Sequence, residues 1–207
     1  MRNTVAEYVR SCPACQKTKS PRHSPYGYLK PLPAPSRPFE SISLDFMTDL
    51  PASDGHDAIL VIVDRFSKYT IAIQRTKSLP ADELFSIFVG EVLLRYGPPK
   101  SIISDRGPQF ISQFWKLAHQ VLGTRTNLST AHHAQTDGQT ERANQEVLQF
   151  IRLHVNSDHN NWASLLQFAS FAINCRKSKT TGYSRFQALH GYPSSSLREG
   201  EGGRCEP

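Results

Sequence analysis

The chain has 207 residues, 38% hydrophobic and 20% charged, with a net charge of +6; this is ordinary globular composition with room for one sizeable core and a small appendage. It holds no run of about 18 apolar residues, and residues 1–12 lack the apolar stretch of a signal peptide, so a membrane-spanning or exported chain is not expected. Of its four cysteines only Cys12 and Cys15 lie close together, which excludes a disulfide framework and fits a reducing compartment.

Residues 1–30 carry Arg2, Arg10, Lys17, Lys19, Arg22 and Lys30 against Glu7 alone, so five of the six net positive charges lie there. A solvated basic tail and a phosphate-contacting arm both fit that distribution. Pro21, Pro25, Pro31, Pro33, Pro35 and Pro38 bar residues 20–38 from forming a continuous helix or a central strand. The expectation is a stiff extended linker between an N-terminal piece, residues 1–19, and a main domain, residues 39–193.

From Glu40 the pattern turns to strands. Ile42, Leu44 and Phe46 alternate with Ser43, Asp45 and Met47, which puts Asp45 on the face opposite the three apolar residues. After a turn at Ser53-Asp54-Gly55, Ala58 to Val63 reads as a buried strand, and Tyr69 to Gln74 reads as a third strand beyond a short turn at Ser67-Lys68. Leu84, Phe85, Phe88, Val89, Val92 and Tyr96 then recur at helical spacing after Pro80, and Gly97-Pro98-Pro99 ends that helix. Ser101 to Ser104 is a short apolar strand leading into Asp105, and a second helix is predicted through Phe110, Phe114, Leu117 and Val121. Strand, helix, strand in that order implies a crossover into a mixed sheet, with Thr124 to Leu128 at its edge.

Thr130 to Gly138 is polar and without period, which predicts a loop; from Gln139 to His154 the residues Ala143, Val147, Phe150, Ile151 and His154 mark one apolar helix face. Glu141, Asn144 and Gln145 share another face. Asn161 to Cys175 is apolar almost all round, predicting a helix buried on two sides. Residues 194–207 form a glycine-containing tail without periodicity that is expected to be disordered.

Three acids stand out by position: Asp45 in mid-strand, Asp105 at a strand end and Glu141 in the first turns of a helix. Hard divalent cations take oxygen ligands, and carboxylates from separate rigid elements can converge on a pair of ions about 3.5 to 4 Å apart. Eighteen acidic residues make some pairing at any spacing unsurprising, so their context decides. Asp105 sits in Ile103-Ser-Asp-Arg-Gly-Pro-Gln-Phe110, Glu141 in Gln135-Thr-Asp-Gly-Gln-Thr-Glu-Arg-Ala-Asn144, and 35 residues separate the two.

With Leu44-Asp-Phe46, Ile62-Val-Asp-Arg-Phe-Ser-Lys68 and Thr181-Gly-Tyr-Ser184, these strings resemble the integrases of gypsy-type LTR retrotransposons and, more broadly, the retroviral integrase superfamily, over residues 1 to 193. The resemblance implies an RNase H-like α/β fold with a mixed five-stranded sheet flanked by helices. It implies Asp45, Asp105 and Glu141 as catalytic ligands of two Mg2+ or Mn2+ ions, and 3′-end processing and strand transfer of DNA as the reaction. Element ends and target DNA would be the partners, in a homo-oligomeric assembly acting in the nucleus. A decayed or domesticated fragment that binds nucleic acid or a partner without catalysis is the alternative.

The resemblance places DNA beside the Glu141 helix, so Arg142, Asn144 and Gln145 are candidate contacts, with His133 and Gln135 from the segment before it. Asp64 and Asp137 read as caps or turn residues rather than ligands. Cys12 and Cys15 are half of a tetrahedral zinc site. The family's two upstream histidines are missing and His23 does not match their placement, so residues 1–19 read as a truncated zinc-module remnant and zinc binding is not expected. His132, Ala134 and Arg185 depart from the family's usual aromatic, proline and proline.

Overall fold

The computed structural model describes Tyr8, Ser11, Cys12 and residues 34–104, 125–128 and 134–194; for 125–128 and 134–137 it describes the backbone alone. The chain divides into two units, Met1–Pro31 and Leu32–Pro207. In the first, the Cys12 amide donates to the Tyr8 carbonyl at 2.9 Å, one helical turn. The predicted helix through Phe110 to Val121 and the tail beyond 194 lie outside the described residues.

In the second unit the strands are β1 (Ser41–Met47), β2 (Ala58–Asp64), β3 (Thr70–Arg75), β4 (Ser101–Ser104) and β5 (Arg125–Leu128), ordered β3-β2-β1-β4-β5 in one sheet. β1, β2 and β3 pair antiparallel, while β1–β4 and β4–β5 are parallel, so the sheet is mixed and five-stranded, as expected. The hairpin at Ser53 closes through Asp54 (φ 49°) and Gly55 (φ 77°), a left-handed pair that explains the Asp-Gly there.

The period-two pattern separates two cores. On one face Ile42, Leu44, Leu60, Ile62 and Ile102 pack with Leu84, Ile87, Phe88 and Val92 of the helix that begins as α1 (Ala81–Phe88). That helix departs from expectation by passing through a π-helical segment, Val89–Leu93, around Gly90 before its last turn, Leu94–Tyr96. On the other face Ile59, Val61 and Val63 pack with Ala143, Val147 and Ile151 of α2 (Ala134–His154) and with Trp162, Leu166 and Ile173 of α3 (Trp162–Cys175). A short α4 (Arg185–His190) follows, capped by the Ser184 hydroxyl, which accepts from the Gln187 amide.

Three expectations need correction. Ala134 to Gly138, predicted as loop, is the start of α2, so Glu141 lies in the helix's third turn and Asp137 is inside the helix rather than capping it. Glycine and β-branched residues weaken a helix locally, but the packed face that follows propagates it through them. His154, assigned to the apolar face, is exposed, its ring stacked on Phe150. Finally, α3 is covered on one side only, for Phe168 and Phe171 remain 67% and 49% exposed.

α3 also protects the sheet's edge. Asn174 Oδ1 accepts from the Thr70 amide at 2.9 Å, its Nδ2 donates to the Thr70 carbonyl at 2.8 Å, and Ser170 Oγ accepts from the Ala72 amide at 3.1 Å. Three outward backbone groups at the start of edge strand β3 are thus satisfied by side chains one helical turn apart, which blunts that end of the edge as a template for strand addition.

Glu40 ties the starts of β1 and β4: its carboxylate accepts from Lys100 Nζ (2.5 Å) and from the Ser36 amide and hydroxyl (2.5 and 2.8 Å). Those donors, Lys100 first, hold its carboxyl down at about 2 from an ordinary 4.5. A depressed carboxyl contributes stability above its unfolded pKa and loses it as pH falls. Urea unfolding is therefore expected to show stability declining from about pH 4.5 toward about 2, and Glu40→Gln should flatten that decline. Superimposable acid limbs would show that these bonds are equally present in the unfolded chain.

Candidate active site

Ser43 and Asp45 point from β1 toward α2, on the sheet face opposite Ile42 and Leu44. The Thr140 hydroxyl donates to Ser43 Oγ at 2.8 Å, and both groups are buried. One turn on, the Asn144 amide donates to Asp45 Oδ2, while Asp45 Oδ1 accepts from the Phe46 amide at 2.9 Å. Residues i and i+4 of the helix thus meet residues i and i+2 of the strand, the match of periods that fixes α2 against β1. Glu141 follows Thr140 directly and is exposed, three residues before Asn144 on a helix whose register against Asp45 is set.

The remaining sequence candidates divide. Arg142 and Gln145 are exposed on α2, whereas Asn144 is half-buried with its amide turned to Asp45. Gln135 lies in the first turn of α2. Asp105, His133 and Cys15 lie outside the described residues. β4 ends at Ser104, opposite Leu44 in the parallel register, so in sequence the next residues of the two strands are Asp105 and Asp45. Among the described residues no three His, Cys, Asp or Glu side chains come together.

Asp64 is a turn organiser. Fully buried, it accepts from the Phe39 amide (2.9 Å), the Phe66 amide (3.2 Å), and the Ser67 amide and hydroxyl (2.9 and 2.5 Å). The expected cap is present, and its donors are three backbone amides and the Ser67 hydroxyl. Asp49 pairs with Lys77 at 2.6 Å, and Asp57 accepts from the Lys77 amide.

Sequence reasoning missed Lys68. Held at φ 65° by the turn, it donates to the Arg65 carbonyl at 2.5 Å and to Gln139 Oε1 at 2.9 Å, joining the β2–β3 turn to α2 two residues before Glu141. Burial, then repulsion from Arg65, lowers its pKa, with Asp64 opposing and Arg185 adding to the lowering. The string Ile62 to Lys68 belonged to the resemblance, yet nothing in its spacing revealed a partner 71 residues away.

The oxygen-rich corner between β1 and α2 suits a hard cation. Asn144 Oδ1 is buried with no hydrogen-bond partner, on the side chain that already grips Asp45. An orphaned buried acceptor is satisfied by a donor such as a water held by an ion.

A mixed sheet in the order β3-β2-β1-β4-β5, with helices on both faces and a carboxylate on its central strand, defines an RNase H-like core. The integrase core domain matches residues 35–155, more than half the chain, and the chain belongs to that family. It is 38% identical over 192 residues to the transposon Tf2-3 and Tf2-4 polyproteins of Schizosaccharomyces pombe, matching 93% of this chain and 14% of each polyprotein. It therefore spans about one seventh of the length of those retrotransposon relatives. Among solved structures, it resembles a chain of a simian T-cell lymphotropic virus intasome in complex with the PP2A regulatory subunit B56 gamma. That match has TM-score 0.65 and 21% identity, covering 100% of this chain and 71% of that one. It also resembles the HTLV-2 integrase catalytic core domain in complex with magnesium, in its trimeric form. Here the TM-score is 0.61 and identity 20%, covering 75% and 99% of the two chains. At that identity the structural likeness carries the fold.

Proposed function

We propose that this chain is the catalytic core that processes the 3′ ends of a retrotransposon's DNA and transfers them into target DNA in the nucleus. Asp45, Asp105 and Glu141 would hold two divalent ions. The observation that carries the reading is the Asn144–Asp45 bond, which locks the Glu141 helix onto the Asp45 strand. The HTLV-2 relative's magnesium supports the choice of metal.

Mg2+ or Mn2+, when bound, supplies positive charge at the reacting phosphodiester and lowers the pKa of the attacking hydroxyl. The residues of the chain do the positioning. The Phe46 amide and Asn144 orient the Asp45 carboxylate, and Lys68 steadies the stretch of α2 around Gln139. Glu141, exposed beside them, is free to turn inward. Arg142 and Gln145 face solvent where DNA would lie, with His133 and Gln135 as further contacts. A water or a DNA 3′-hydroxyl forms the new phosphorus–oxygen bond as the old ester oxygen leaves, so no protein nucleophile is required. The exposed Phe168 and Phe171 of α3 offer an apolar surface for a second copy, in keeping with the dimeric and trimeric forms of the HTLV-2 core.

The test is a disintegration assay on a branched DNA substrate, which asks only for the transesterification itself. Resealed product is expected with Mg2+ or Mn2+, none with EDTA, and none from Glu141→Gln. Product formed without divalent metal, or at wild-type rate by that variant, would dismiss the reading. A chain that binds DNA but never reseals it would support a decayed fragment instead.

A further inference from the structure

From His159 to Leu197 the chain contains no Asp or Glu, and its four cations, Arg176, Lys177, Lys179 and Arg185, fall within ten residues. They lie in and beside the connection from α3 to α4, in which every residue from Arg176 to Tyr183 is exposed. A basic run is most often a solvated face. This one is built differently, because its shape is held at both ends and across its middle.

Lys177 bridges to Ser184 as in a β-ladder, the Ser178 amide donates to the Tyr183 carbonyl at 3.0 Å, and the Gly182 amide donates back to the Ser178 carbonyl at 2.9 Å. Gly182 sits at φ 74°, a conformation that suits glycine. Buried Asn174 pins one end of the loop to β3, and buried Ser184 caps α4 at the other. Across its base, Arg176 and Arg185 both donate to Glu146 at 2.6 Å, and Arg185 also reaches Thr70 Oγ1 at 3.1 Å.

Glu146 lies on α2 five residues beyond Glu141, a rise of about 7.5 Å along the helix. The loop is therefore tethered to the helix that carries the proposed ligand. Glu146 balances one of the two arginines. Lys177 and Lys179 have no ion pair among the described residues, and Tyr183, 59% exposed, ends the same loop. Unpaired cations on a rigid loop with an aromatic ring suit a nucleic-acid backbone: the cations take phosphates and the ring packs on a sugar or base.

We infer that the loop from Arg176 to Tyr183 is a DNA-binding surface, through which Lys177 and Lys179 contact backbone phosphates of the strand that reaches Glu141. The inference rests on the proposed action of this core on DNA and adds the subsite that holds it. Element-end DNA and target DNA share the same phosphate chemistry.

Fluorescence-anisotropy titrations in EDTA separate these sources and keep binding apart from turnover. One probe is a random-sequence linear duplex and the other a branched duplex carrying the element's terminal sequence. Lys177→Gln/Lys179→Gln is expected to weaken binding at least about fivefold at low salt and to reduce the slope of log Kd against log salt by about 2, for two lost phosphate contacts. Tyr183→Ala should weaken binding about threefold with the slope unchanged, since stacking releases no counterions. Lys77→Glu, which makes the same change in net charge, should have less effect than the double variant on either probe. A loss on the random duplex identifies target DNA, and a loss confined to the branched probe identifies element ends. If the double variant matches Lys77→Glu in affinity and slope on both probes, the loop is a solvated face and the inference falls, whatever the disintegration assay shows. Loop-dependent binding without metal-dependent resealing would leave this surface standing and remove the catalytic reading.

Discussion

Asp45→Asn is expected to lower metal-dependent DNA resealing by about a hundredfold or more, the scale on which single preorganised electrostatic groups act at a developing charge. The fold should tolerate the change. The new amide retains an oxygen for the Phe46 amide, and its NH2 can donate to Asn144 once that side chain turns its buried, unpartnered Oδ1 inward. The loss would thus come from the missing negative charge, and DNA affinity, set by Lys and Arg contacts to phosphates, should persist. A second readout is independent of turnover: any rise in melting temperature that Mg2+ or Mn2+ gives the wild type should shrink in the variant, because ligand-linked stabilisation follows affinity. Activity within about tenfold of wild type, with the metal-induced shift intact, would remove Asp45 from the site.

Asp64→Ala carries the largest expected effect on stability. It strips the shared acceptor from three backbone amides and a hydroxyl in a fully buried turn. Hydrogen bonds to a charged group contribute about 1.5–3 kcal/mol each, and some donors will find water after relaxation, so a net loss of about 4 kcal/mol is reasonable. For a domain of this size that corresponds to a melting temperature lower by roughly 10 °C. Asp64→Asn should cost about half as much, since it keeps one oxygen but turns an NH2 toward Ser67. The damage should extend to catalysis, because Lys68 reaches Gln139 from this turn. A melting temperature within about 2 °C of wild type for the alanine variant would mean that the turn holds its shape without the carboxylate.

Much of this was legible in the sequence where a single period dominated. The alternation of Ile42, Leu44 and Phe46 with Ser43, Asp45 and Met47 separates the two sheet faces, and so gives the direction in which Asp45 points. The run from Ala58 to Val63 and the helical spacing from Leu84 to Tyr96 were equally plain. The start of α2 was not, because Gly138 and its polar neighbours read as loop while the helix is stabilised by packing further along, at Thr140, Ala143 and Val147. Asn144 shows the other limit. A polar residue on a helix face reads the same whether it meets solvent or a carboxylate 99 positions earlier in the chain. Lys68, Arg185 and Glu146 were hidden for the same reason: charge pairs across distant elements leave no local period.

The segregation of the two cores bears on how such a chain ages once selection on its parent element relaxes. Beneath α1 the residues that pack against the helix are apolar, and none of the proposed ligands is among them, so substitutions that conserve volume at those positions alter little beyond stability. Beneath α2 the strand contributes Ser43 and Asp45 alongside the packing residues, and a shift of the helix moves the site with it. Mutational decay should therefore be readable as an asymmetry. Copies still under selection would drift faster on the α1 side of the sheet than on the α2 side, and abandoned copies would drift equally on both.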